Sequence, residues 1–153
     1  MSFSVTPPLP QVAQEITDSI RKQMASRAYR AANELKNQSA EVLGQQGGGR
    51  RYRMPHGKGY YTASAPGQPP ASRTGTFKQR WTPSAEAAGD VFKGKIESSV
   101  QTSDYPGNHG GRRYLLGELL ENGTSRMAPR PYQDKILEAA EPEIVRIYNE
   151  PYF

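Results

Sequence analysis

The residues best suited to chemistry are cations that cluster in one segment. Between positions 44 and 80 the chain has no Asp or Glu, and it has seven basic residues: Arg50, Arg51, Arg53, Lys58, Arg73, Lys78 and Arg80. This segment carries +7, whereas the rest of the chain, with thirteen basic and fifteen acidic residues, carries −2. A local field of this kind attracts polyanions or acidic protein surfaces.

Aromatic residues are interleaved with these cations: Tyr52, Tyr60, Tyr61, Phe77 and Trp81. Arg and Lys neutralise phosphates, and aromatic rings stack on bases or wedge between them. The candidate contact residues for DNA or a protein partner are Arg50, Arg51, Arg53, Lys58 and Arg73. No recognition-helix or RNA-binding signature accompanies them, so any nucleic-acid contact is expected to be independent of base sequence. The alternative interpretation is a solvated flexible loop.

Catalytic chemistry has little support in the sequence. Cys is absent, and the two histidines, His56 and His109, each lie in a Gly-rich stretch. The phosphate-loop, nucleophile-elbow and zincin motifs are missing. Glu118 and Glu121 are three residues apart, but no basic group can be named beside them, so we interpret them as a solvated or salt-bridged helix face. We therefore expect no enzymatic activity, no cofactor and no metal site.

The composition indicates one modest hydrophobic core with long irregular segments. Gly and Pro account for 28 of the 153 residues, and hydrophobic residues for only 35%. No apolar run approaches the ~18 residues of a membrane span. Residues 1–30 lack the basic start and apolar centre of a signal peptide. The absence of Cys fits assembly in a reducing cytoplasm.

The elements that position these residues follow from periodicity and from Gly and Pro. We expect an α+β fold, in which a long N-terminal helix and a C-terminal helix pack on a small antiparallel sheet. The expected segments are an extended arm over 1–10, a helix over 11–43, a flexible basic Gly/Pro-rich loop over 44–72, a short helix around 77–81, a strand over 91–102, a loop over 103–111, a short helix over 114–120 that ends at Gly123, and a helix over 131–148. The alternative for 114–120 is a strand. Residues 11–153 form a single domain in this interpretation.

The two long helices carry further expectations. Val12, Ile16, Ile20 and Met24 recur at a spacing of four, and the opposite face carries charged residues that include Arg27 and Arg30. A helix of about 50 Å in so short a chain indicates an oligomer. In the C-terminal helix, Pro131 suits the first turn, and Pro142 is expected to kink or divide the helix.

A compact motif precedes the C-terminal helix. It reads Glu121-Asn122-Gly123-Thr124-Ser125-Arg126-Met127-Ala128-Pro129-Arg130-Pro131-Tyr132. Gly123 can adopt a positive φ and end one element, while the two prolines stiffen the connection. Tyr132 is expected to pack at the start of the next helix, and Arg130 to form either a structural salt bridge or a subunit contact. We interpret the motif as a rigid corner whose key residues are Gly123, Thr124, Arg130, Pro131 and Tyr132.

This motif resembles a family of small phage proteins, the neck or tail-completion proteins (also called putative tail components) of long-tailed double-stranded DNA phages. The family pattern is a Glu-x-Gly-Thr turn, a Met, and Ala-Arg-Pro-Phe at the start of the last helix. The upstream features occur in the family order: Ala65-Pro66, Thr74-Gly75, the strand over 91–102 and Tyr114-Leu115-Leu116. Two departures are the permuted Ala128-Pro129-Arg130 and Tyr132 in place of Phe.

The resemblance implies a structural virion protein in the head-to-tail connector. It would form a homo-oligomeric ring of six or twelve copies, assembled in the host cytoplasm, that joins the capsid portal to the tail around the DNA channel. Its partners would be adjacent connector, tail-terminator or tail-tube proteins, with genomic DNA as a non-specific contact and no membrane. The alternative function is non-specific nucleic-acid binding through residues 44–81.

Overall fold

The computed structural model describes residues 8–54, 57–104 and 113–152. Most of the predicted arm and of the predicted loop over 103–111 therefore lies outside the described residues. In chain order the elements are α1 (Leu9–Val42), β1 (Arg51–Arg53), β2 (Tyr60–Thr62), α2 (Thr76–Gln79), β3 (Thr82–Ala88), β4 (Val91–Glu97), a 3-10 turn (Thr102–Asp104), α3 (Leu116–Asn122) and α4 (Gln133–Tyr148). The predicted α+β class is confirmed, with long N- and C-terminal helices and two small antiparallel sheets.

Helix α1 begins two residues before the predicted start. Pro8 is extended and precedes the helix, and Pro10 lies in the first turn, where a missing N–H costs no helical hydrogen bond. The prediction of an extended arm was therefore wrong for Leu9 and Pro10. The helix has 34 residues, which corresponds to about 51 Å.

The second half of α1 packs closely on the rest of the chain. Ala28, Ala31 and Ala32 are buried, and β4 crosses them at Gly94, where any side chain would overlap the Ala28 carbonyl oxygen. These small residues let the β3–β4 hairpin lie close against the helix. Helix α4 packs along α1 as well.

Arg27, which the sequence places on the charged face of α1, is buried. This arginine is only 3% exposed. The guanidinium donates to the carbonyl oxygens of Tyr148 at 3.2 Å and Pro151 at 2.9 Å, and it lies 3.9 Å from the ring centroid of Tyr152. Burial of this cation is therefore matched by acceptors that the end of the chain supplies.

The β3–β4 hairpin shows where the strand predictions failed. Strand β3 was missed because its sequence, TPSAEAA, has no apolar alternation; its conformation comes from pairing with β4 across a turn in which Gly89 has φ 63°. Strand β4 ends at Glu97 rather than at 102. Beyond it the chain changes partner, and Gln101 forms an isolated bridge with Leu115.

Helix α4 begins at Gln133, so the prediction that Pro131 lies in its first turn was wrong; Tyr132 is the N-cap residue. The helix continues through Pro142, which does not divide it. Ile136, Ala140 and Ile147 are buried on either side of the proline. We attribute the continuity to this packing, which offsets one lost hydrogen bond.

The hydrophobic core lies where the C-terminal end of α1 meets the corner. Its buried members are Val42, Leu43, Phe77, Val100, Tyr132 and Ile136, and Leu35, Trp81, Leu116 and Leu120 pack against them. Phe77, Trp81 and Tyr132 form a cluster of edge-to-face rings with centroids 5.4–6.0 Å apart. This aromatic cluster joins α2 to the start of α4.

Candidate functional site

The basic segment contains a β-hairpin, which corrects the prediction of an unstructured loop over 44–72. Strand β1 pairs with β2 so that Tyr52 lies opposite Tyr61 and Arg53 opposite Tyr60. Backbone hydrogen bonds from Gly49 to Ala63 at 2.8 Å and from Ala63 to Arg50 at 2.9 Å extend the pairing. Because side chains alternate along a strand, the hairpin has two chemically different faces.

One face carries a column of alternating cations and rings. Tyr52 and Tyr61 stack with centroids 5.6 Å apart and planes at 24°. The Arg50 guanidinium lies 5.5 Å from the Tyr52 centroid, and that of Arg73 lies 5.5 Å from the Tyr61 centroid. Cation–π attraction and stacking hold these four side chains in order.

The opposite face of the hairpin is open to solvent. Arg51 and Arg53 are exposed, and the Arg51 guanidinium lies 4.5 Å from the centroid of Tyr60, which is 61% exposed. Lys58 is exposed in the connection between the strands. Among the described residues none of these three cations has an acidic partner, so this face can attract an anionic surface.

The corner holds the base of the hairpin in place. Arg130 donates from one terminal nitrogen to the Ser64 carbonyl oxygen at 2.6 Å and to the Ser64 hydroxyl. The Gly67 N–H donates to the Pro129 carbonyl oxygen at 3.0 Å. Within the described part of the chain, Arg130 thus contacts a neutral partner and not the acid that a salt bridge, one of its two predicted roles, requires. Nothing in the sequence pattern links Ser64 to Arg130, since they are 66 positions apart.

The corner itself depends on Gly123. This residue ends α3 with φ 73°, and a Cβ there would lie 2.7 Å from the Met127 oxygen and 2.8 Å from the Pro129 nitrogen. The following turn is closed by Thr124, whose N–H donates to the Met127 carbonyl oxygen at 2.8 Å. The predicted need for a positive φ at this glycine agrees with the structure.

Glu121 caps the start of α4, a role that sequence reasoning missed. Its carboxylate accepts hydrogen bonds from the backbone N–H groups of Tyr132 at 3.0 Å and Gln133 at 3.4 Å. A carboxylate at a helix N-terminus satisfies free donors and favours the helix dipole. Tyr132 is 2% exposed, and its burial raises the pKa of the phenol to about 12.

A cavity of about 420 Å³ lies between the hairpin, α2, α3 and the corner. Its apolar wall includes Leu43, Phe77, Leu116, Leu120 and Met127, and its cations are Arg73, Lys78 and Arg130. Among the described residues, no Asp or Glu lines it. The Nε atoms of Arg73 and Arg130 are buried, with no acceptor among the described residues, an arrangement that costs about 1–3 kcal/mol for each unpaired donor.

The structure separates the predicted contact residues into two groups. Arg73 joins Arg130 at the cavity, whereas Arg50, Arg51, Arg53 and Lys58 lie on exposed surface. Within the described ranges, no group of three or more His, Asp or Glu side chains is placed to hold a metal ion. The described helices include none that is both long and apolar enough to cross a membrane.

Comparisons with known proteins find no matching family model, no similar curated protein and no similar solved structure.

Proposed function

We propose that this chain is a structural virion protein of a tailed phage, located in the head-to-tail connector. It would form a ring of six or twelve copies that joins the capsid portal to the tail around the DNA channel, with neighbouring connector, tail-terminator or tail-tube proteins as its partners. The resemblance of residues 121–132 to neck and tail-completion proteins suggests the family. We assign the chain no catalytic role.

The observation that carries the oligomer is the exposed start of α1. The first hydrogen bonds from this helix to distant parts of the described chain are made by Arg21 to Asp90 and by Gln23 to Tyr152. Upstream, Leu9 is 76% and Ile16 46% exposed. Residues 9–20, about 18 Å of helix at 1.5 Å per residue, therefore extend beyond these contacts. A helix this long is stabilised mainly by packing of an apolar face, and further copies of the chain would supply that packing.

The exposed face of the hairpin supports contact with a neighbour or with the genome. Either an acidic surface of an adjacent ring or DNA in the channel would complement Arg51, Arg53 and Lys58. We favour docking onto a neighbouring ring. Six or twelve copies that gripped phosphates through several cations each would slow the passage of DNA.

Native mass spectrometry of the purified full chain tests the oligomer. We expect a closed six- or twelve-subunit ring, or a monomer that assembles when connector proteins are added. Ile16→Glu introduces a charge into the exposed apolar stripe and is expected to prevent assembly while leaving the monomer folded. Gln14→Glu places the same charge on the opposite side of that turn and serves as the matched control. Assembly that is unaffected by Ile16→Glu would contradict the proposed use of α1.

Non-specific nucleic-acid binding through residues 44–81 is the second candidate function. The acid-free hairpin with its exposed Tyr60 favours it. Its signature would be DNA binding by the monomer, with an affinity that falls steeply as salt rises, because each neutralised phosphate releases counterions. Ring assembly with weak DNA binding supports the connector instead.

A further inference from the structure

The acid-free cavity behind the hairpin has the features of a binding site for a small anion. Three separate parts of the chain each supply one cation to its lining: Arg73 follows the hairpin, Lys78 lies on α2, and Arg130 lies in the corner. Cations of like charge repel one another in a shared enclosure unless an anion compensates them. In the described part of the chain no carboxylate does so.

The two arginines are also incompletely satisfied. Their Nε atoms are buried without an acceptor among the described residues. The described hydrogen bonds of the Arg130 side chain come from one terminal nitrogen and go to Ser64. Lys78 extends toward Gly44 at the end of α1. Its Nζ would lie 3.6 Å from a Cβ atom placed on that glycine. The described contacts therefore pair none of these three cations with a carboxylate.

The other residues that line the cavity indicate the chemistry of the rest of the ligand. Leu43, Phe77, Leu116 and Leu120 form an apolar wall, and the Tyr52 and Tyr61 rings lie at the hairpin side of the same cavity. The volume falls within the ~300–1,000 Å³ that is typical of small-molecule sites. Such a cavity fits a ligand that has an anionic end and a flat or apolar body.

The charge distinguishes a phosphate monoester from a carboxylate. A carboxylate carries one negative charge. A phosphate monoester carries about 1.5 to 2 negative charges at pH 7, because its second pKa is about 6, and it offers three acceptor oxygens. Three cations are better matched by the more highly charged group, and arginine forks bind phosphate in bidentate fashion. We propose that this cavity binds a phosphate monoester attached to an aromatic or apolar group, of the kind that a 5′-nucleotide presents. The inference does not depend on the connector function.

Calorimetric titration of the full chain with 5′-dAMP tests the proposal. We expect saturable one-to-one binding that weakens from 5′-dAMP to its phosphate methyl ester, which carries a single charge, and further to deoxyadenosine, which carries none. Arg73→Gln and Lys78→Gln are each expected to raise the Kd at least about tenfold. Arg53→Gln removes a cation from the outer face of the same hairpin and is expected to leave the Kd unchanged. Thermal melting of each variant verifies that it is folded.

Three results would overturn the proposal: equal binding of 5′-dAMP and deoxyadenosine, equal loss of affinity in Arg53→Gln and Arg73→Gln, or tighter binding of a Glu-rich peptide than of 5′-dAMP. A further comparison identifies the source of the phosphate. If a 5′-phosphorylated oligonucleotide binds more tightly than 5′-dAMP and loses affinity when its end is a hydroxyl, the ligand is a DNA end. If 5′-dAMP binds as tightly as the phosphorylated oligonucleotide, a free nucleotide suffices.

Discussion

Gly123 is the residue on which the geometry of the corner depends most directly. It combines a positive φ with close packing, because its Cα faces the backbone of Met127 and Pro129. Gly67 has a nearly equal φ, 77° against 73°, but open space where a Cβ would lie. The pair therefore compares a positive-φ glycine in close contact with one in open space.

We predict that Gly123→Ala destabilises the chain more than Gly67→Ala. Both substitutions incur the cost of a positive φ, about 1–3 kcal/mol. Gly123 also has ψ −173°, in a region that is essentially restricted to Gly, and only Gly123→Ala adds an overlap with backbone atoms. Urea unfolding monitored by circular dichroism measures both. Equal losses of stability would mean that the corner adjusts freely and that the close contact is unimportant.

Tyr132 gives the core a measurable dependence on pH. Burial raises its pKa to about 12, above its ordinary value of 10.0. Because the folded state holds the proton more tightly, this stabilisation is complete below pH 10 and is lost as pH rises toward 12.

We predict that the melting temperature of the wild type falls between pH 10 and pH 12 more steeply than that of Tyr132→Phe. The Phe variant keeps the ring contacts with Phe77 and Trp81 but has no proton to lose. Parallel melting profiles of the two proteins across this range would show that Tyr132 does not couple ionisation to folding.

At the level of elements, the sequence was most informative where an apolar pattern repeats over many residues. The stripes along α1 and α4 predicted two helices within two residues of their actual ends. The short elements α2, β4 and α3 were predicted with shifted ends. Strands β1, β2 and β3 were not predicted, because they take their conformation from a partner strand rather than from their own composition.

The candidate site was predicted in composition but not in arrangement. The cations could be counted along the chain, whereas the alternation that separates Arg51 and Arg53 from the Tyr52 face appears only with the hairpin register. The Arg130–Ser64 contact and the capping role of Glu121 arise from distant parts of the chain that tertiary packing brings together. No local signal indicated either one.

The hairpin is expected to be the part of the free protein that is cleaved first by protease. Two paired strands of three residues each are only marginally stable by themselves, and the tryptic sites at Arg51, Arg53 and Lys58 are exposed. Limited trypsin digestion followed by mass spectrometry is predicted to show initial cuts within 44–72, and protection once the partner ring binds. Earlier cleavage at Arg21 or Lys22 would contradict this order.

For the whole molecule, the uneven distribution of charge supports the proposal that the hairpin lies at an interface. Changing Arg50, Arg51, Arg53 and Lys58 to Gln is predicted to leave heads and tails unjoined if the hairpin docks onto a neighbour. If it contacts DNA, particles would join but would lose genome retention or ejection. Electron microscopy and infectivity assays distinguish these outcomes. The matched control changes four exposed cations elsewhere to Gln: Lys36, Lys93, Arg113 and Lys135. Normal joining with normal infectivity would exclude both uses.

The central claim is that this chain joins heads to tails, and its most direct test is to remove the chain from the phage that encodes it. We predict that lysates made without it contain separate DNA-filled heads and complete tails, and that adding the purified protein restores joined, infectious particles. Joined and infectious particles in lysates that lack the chain would contradict the account.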